Sequence, residues 1–214
     1  MITVLLILSA LSILTASLVF GVKTRGTPNV MGQAHPPGEL PTFPPIPPFA
    51  VGVTQVTASG VSQTLAAGRY RKITASEGAK IILTGGTYYA DQLVLSGGSS
   101  LVLPEDVKTV LFIKSRLDLS EGSVTSPSRK PAFFQIFYAG ATKATLCGYG
   151  GFCGTVYAPN AKLELNSASE FYGSFTANSL TASSGSHIRC TEGLLRDVQS
   201  TTPVMTWAGT QRSY

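Results

Sequence analysis

Charge is scarce in this chain. Asp, Glu, Lys and Arg make up 13% of 214 residues, and the net charge is +5. There are two histidines, three cysteines and one tryptophan. Each shortage removes a class of function. No Cys-x-x-Cys pair exists and His35 and His187 stand far apart, so no zinc site is expected. The Gly-x-Ser-x-Gly turn that presents a serine nucleophile is absent. No row of Asp or Glu recurs at a fixed period, which leaves a calcium-dependent lyase groove without support. Glycoside hydrolysis needs two positioned carboxylates. Glu105 and Asp106 fall in a Pro-initiated turn, Asp118 faces outward between Leu117 and Leu119 with Glu121 nearby, and Asp91 reads as a turn residue. No catalytic residue, metal or cofactor is assigned, and an enzyme is not expected. The basic residues (Arg69, Arg71, Lys72, Lys80, Lys114, Arg116, Arg129, Lys130, Lys162) are scattered, as on a solvated face. An anionic or saccharide surface stays open as a partner; nucleic acid is not expected.

What the chain has is Gly, Ser, Thr and short apolar alternations. Gly151 to Cys190 carries Thr155-Val156-Tyr157, Leu163-Glu164-Leu165, Ser174-Phe175-Thr176 and Ser179-Leu180-Thr181. Each run has the period of two that a strand needs and is too short for a helix. Each is closed by Gly, Asn, Pro or Ser, which supply turns. Gly154 and Gly173 stand one repeat apart, with Tyr157 and Phe175 close behind. A strand-and-turn unit of about twenty residues predicts one coil of a β-solenoid.

The pattern extends upstream. Val51 to Val56 and Val61 to Leu65 are expected as the first edge. Gly68-x-Tyr70 and Gly86-x-Tyr88 open two similar units, and Leu93 to Leu103 places a Ser-Gly-Gly-Ser corner between two apolar strands. Val, Leu, Ile and Phe are expected inside, and Thr, Ser, Lys and Glu outside. Ser120 to Pro131 reads as a loop leaving the coil, and Ala132 to Tyr138 as a strand of a central coil. His187, beside Ile188, reads as a strand residue after a Ser-Gly-Ser corner. Asn160 is expected to bond backbone in its turn or to adopt a left-handed conformation. Beyond Cys190 a short helix and a last strand are expected as a cap over residues 191–214.

Residues 2–22 contain no charge. As a helix they would run about 31 Å, the thickness of a bilayer core. The division expected is a hydrophobic N-terminal helix over 1–25, a Pro-rich linker over 26–50, a solenoid over 51–190 and a tail over 191–214. Residues 26–50 hold eight of the thirteen prolines and read as a polyproline spacer, with Phe43, Ile46 and Phe49 able to pack on another surface. The apolar segment implies a membrane or a helix bundle as its partner, and a homo- or hetero-oligomer. Cys147, Cys153 and Cys190 offer two pairings, Cys147–Cys153 or Cys153–Cys190, beside the alternative of buried free thiols.

Gly154 to Leu165 (GTVYAPNAKLEL), Glu170 to Ile188 and Leu83 to Leu101 resemble an uncharacterised bacterial domain family. Its members carry a Y-A-P-N-A motif and stand behind N-terminal segments similar to those of PilX-like minor pilins. The resemblance covers roughly Leu65 to Ile188 and marks Gly154, Tyr157, Pro159, Asn160 and Gly173 as the family-motif turn. It implies an all-β, right-handed parallel β-helix behind a transmembrane or pilin-like α-helix. The chain departs from the family at His187-Ile-Arg-Cys190. It also lacks the Glu that pilins carry early in the apolar segment, and Pro28 cuts a shaft helix short. The expectation is a membrane-anchored protein exported to the periplasm or cell surface of a bacterium. It would be a non-catalytic structural subunit, pilin-like or pilus-associated, for assembly or adhesion. The alternatives are a subunit of another filament or of a membrane-containing virion, and a carbohydrate-binding or carbohydrate-cleaving β-helix.

Overall fold

A strand paired on one side only leaves half of its backbone groups unpaired, and an isolated coil cannot bury its apolar side. Stacking coils solves both problems at once. The computed structural model describes residues 44–147, 151–166, 170–183 and 185–189, with the backbone alone of Ile2–Ser9 and Thr15–Val22. Described beyond residue 44 are β3 (Gln55–Ser59), β4 (Ser62–Leu65), β5 (Gly68–Ser76), β6 (Lys80–Leu83), β7 (Gly86–Leu95), β8 (Ser100–Val102), β9 (Thr109–Asp118) and β10 (Ser123–Thr125). After a 3-10 turn at Pro131–Phe133 come β11 (Phe134–Tyr138), β12 (Ala144–Cys147), β13 (Phe152–Asn166), β14 (Glu170–Ala182) and β15 (His187–Arg189).

All of these strands pair in parallel, with a neighbour on each side except at the ends of the stacks, where β3, β4, β10 and β15 have one. The result is an all-β parallel solenoid of about six turns. One inward column reads Val56, Ile73, Leu93 and Leu117, then Ala144, Leu163 and Leu180. All seven are buried. A second column, Tyr88, Leu111, Ile136, Val156 and Phe175, is equally sealed. The second sheet adds Ile81, Leu101 and Val124. These columns form one continuous core.

Corners stack as strands do. Glu77-Gly78 and Gly97-Gly98 all have positive φ, and Gly78 N–H donates to Gly97 O at 2.8 Å. The Ser-Gly-Gly-Ser corner is thus where the sequence puts it. Ser120 to Pro131 is not simply a loop: Val124 enters the core and Ser123–Thr125 pairs with β8. Asp91 lies within β7, where β9 carries an extra residue against it, and not in a turn.

The apolar segment departs from expectation. Its described backbone is two strands, β1 (Ile2–Ser9) and β2 (Thr15–Val22), paired antiparallel, with Val22 set against Leu180 of β14. No described helix is long and apolar enough to cross a membrane. The segment is rich in Ile, Val and Thr, whose branched side chains favour strands. The free edge of β14 lets those strands satisfy their backbone. The C-terminal cap expected over 191–214 lies outside the described residues.

Candidate functional site

The family-motif turn is a place where two backbones nearly touch. Gly154 pairs with Gly173 in the β13–β14 ladder. A Cβ on Gly173 would lie 1.9 Å from Gly154 O, and its φ of +131° excludes other residues as well. One on Gly154 would lie 2.8 Å from the Phe134 ring. Pro159 and Asn160 occupy the following corner, where β13 runs two residues longer than β14 between Ala158 and Lys162. Pro159 is buried and Asn160 exposed. Asn160 does not take the left-handed conformation.

Tyr157, the remaining motif residue, belongs to a feature that the sequence pattern does not display. Tyr89 pairs with Phe112, Phe112 with Phe137, and Phe137 with Tyr157, one residue per rung on the outer face. Tyr89 and Phe112 stack with centroids 5.1 Å apart, and Phe112 and Phe137 at 4.9 Å. Phe137 and Tyr157 are tilted at 6.1 Å. Arg69, one rung before Tyr89, lies over the Tyr89 ring at 5.1 Å.

Residues 44–50 of the Pro-rich segment lie along this ladder. Phe49 packs 5.7 Å from Tyr89 and 5.5 Å from Phe112. Tyr157 Oη donates to Pro44 O at 2.6 Å, and Arg69 Nη1 donates to Ala50 O at 2.9 Å. The lengths agree. Six extended residues advance about 19 Å at the polyproline rise, and four rung spacings also span about 19 Å. Prolines suit the position, since a strap lying across strands has no ladder for an N–H to join. Residues 44–50 therefore lie on the solenoid; 26–43 lie outside the described residues.

Burial pushes the Tyr157 hydroxyl up to about 12. Beside it, Thr155, Ser174 and Thr176 are buried on the same face, and their hydroxyls have no partner among the described residues. Cys147 and Cys153 are buried free thiols, and Cys190 lies outside the described residues. Burial, opposed by Arg129, raises Cys153 to about 11, so it is not a nucleophile at neutral pH. It borders a groove that also holds Arg129, Glu170 and Tyr172.

Most of the described carboxylates are tied to partners, Asp91 and Glu105 being the exceptions. Asp106 meets Lys130 at 2.8 Å, and Glu164 bridges Lys162 and Lys143. Glu170 meets Arg189 at 2.6 Å, and Glu121 accepts Gly97 N–H. Asp118 meets Arg116 at 2.8 Å; burial raises its carboxyl, but bonds from Arg116 and Ser120 outweigh burial and hold it below its ordinary value. His187 is exposed on β15. No group of three His, Cys, Asp or Glu among the described residues could hold a metal. The basic residues are partly gathered after all: Lys72 and Arg116 share one outer column with the neutral Gln92 between them, with Lys143 and Lys162 on later rungs among these carboxylates.

No curated protein and no solved structure matches the chain. Residues 53–195 match the pattern of a domain of unknown function, and with two thirds of its length inside that match the chain belongs to the DUF7305 family.

Proposed function

We propose that this chain is a non-catalytic structural protein in which a rigid solenoid is held by the apolar segment 2–22 for display or assembly. The observation that carries this is the strap. Pro44 sits on Tyr157, and Val22 pairs with Leu180, so the N-terminal side is fastened to the late rungs of a rod that it also precedes in sequence. Force on the apolar segment would then run along the solenoid axis and load the strap in shear. The engaged carboxylates favour a structural role over glycoside cleavage. Ladder geometry weighs against a saccharide platform as well. A sugar needs a free ring face, and the stacked faces of Tyr89, Phe112 and Phe137 are taken by one another.

In this reading the protein is exported to the periplasm or cell surface, and its coil is right-handed, as parallel crossovers almost always are. It serves as a pilin-like or pilus-associated subunit, with assembly or adhesion as its work. Electron microscopy of the protein from its native source, with N-terminal sequencing of the same sample, tests it. Filaments or regular particles carrying the protein are expected. Dispersed single copies in detergent would overturn assembly and leave a lone display domain.

A further inference from the structure

The first rung is unlike the others. Residues 50 to 68 contain no Asp, Glu, Lys, Arg or Pro, whereas every later rung carries charge. β3 stands at the end of the 11-stranded sheet, with β5 on one side and no strand on the other among the described residues. Exposed edges are ordinarily blunted by charge, proline or a bulge, because unpaired N–H and C=O groups recruit other strands. Here none of these devices is present. The free edge of β10, by contrast, is three residues long and faces a groove with Pro127, Arg129 and Glu170.

The two most exposed large hydrophobic residues point to the same place. Val53 is 89% exposed and Val61 62% exposed, and they stand four positions either side of Thr57. Consider a second copy related by a two-fold axis through Thr57. β3 then meets its own copy antiparallel, and position i faces position 114 − i. Thr57 meets Thr57, which is a favourable cross-strand pair. Val56 meets Ala58, both inward, so the core column continues into the partner. Val53 is brought toward Val61. Self-pairing also explains the missing charge: at a two-fold edge a charge at Thr57 would face its own sign, and charges nearby would gather around the axis.

We propose that the β3 edge is an interface for a second copy of this chain, joined head to head through Thr57. This edge is at the end of the rod remote from Pro44, which bonds Tyr157, and from Val22, which pairs with Leu180. The contact is short, so it forms best where copies are concentrated.

The test uses the full chain in detergent, with mass measured by light scattering and folding checked by circular dichroism. The variants are Thr57→Lys and Thr57→Glu. Two-fold pairing predicts that each variant alone loses the dimer and that an equimolar mixture regains it, since Lys then faces Glu. Association that survives both substitutions belongs to the apolar segment and overturns the proposal, as does a wild-type chain that stays monomeric at high concentration. Loss in both variants without recovery in the mixture overturns the head-to-head geometry, because in a head-to-tail contact position 57 does not face itself.

Discussion

The Tyr157 hydroxyl and the Pro44 carbonyl meet at 2.6 Å across 113 residues of chain. Few contacts among the described residues join parts so distant, and this one holds the strap at its Pro44 end. Tyr157→Phe removes the bond and little else. A loss of about 1 kcal/mol is expected, read as a fall in Tm of about 2–4 °C. Hydrogen exchange at Ala50 to Gly52 should rise more than exchange in β5 or β7. Equal rises everywhere would mean that the strap is not a separate unit.

Alkali should loosen the late rungs before the early ones. The folded values of Tyr157 and Cys153 are raised to about 12 and about 11. The unfolded chain gives up these protons earlier, near 10 and 9. The stability that they lend is therefore complete below pH 9 and lost as pH climbs to 12. Urea midpoints from pH 8 to 12 should fall, and Tyr157→Phe should flatten the upper part of that fall. A wild-type midpoint constant across the window would contradict it.

Two glycines of positive φ should respond differently to alanine. At Gly173 the new methyl would meet Gly154 O at 1.9 Å, whereas at Gly78 nothing lies within 4 Å. Gly78→Ala carries only the left-handed backbone cost of about 1–2 kcal/mol. Gly173→Ala must also push two strands apart, and a loss above about 4 kcal/mol, or failure to fold, is expected. Comparable denaturation midpoints for the two variants would show that the β13–β14 approach is softer than its geometry implies.

Thr176→Val should stabilise. Its hydroxyl is buried with no partner among the described residues, beside those of Thr155 and Ser174. Replacing an unsatisfied hydroxyl by a methyl of the same shape removes a desolvation cost of about 1–3 kcal/mol. A lowered urea midpoint would mean that the hydroxyl has a partner in solution.

The coil was legible because its signal is local. Period-two runs such as Phe134–Tyr138, closed by Gly, Ser and Asn, can bury their apolar side only by stacking. The Gly154–Gly173 contact was legible as well, since a repeat of nineteen residues brings the two glycines into register. The ladder was not. Its members are separated by 23, 25 and 20 residues, because corners insert different numbers of residues on each rung. Gly68 and Gly86 show the same effect: they repeat after eighteen residues, but Gly68 pairs with Tyr88. The apolar segment was not decided by its composition, because length and hydrophobicity describe a bilayer helix and a strand pair on an open sheet edge almost equally well.

What the amino-acid order determined by itself was the solenoid, for strand period and turn chemistry act over a few residues and need no distant partner. Tertiary structure alone decided which outward side chains share a column, where the Pro-rich segment lies and which end of the rod is left open. Those outcomes depend on the sum of many corner lengths. Each corner sets which face the side chains of the next strand take, and no local pattern records that sum.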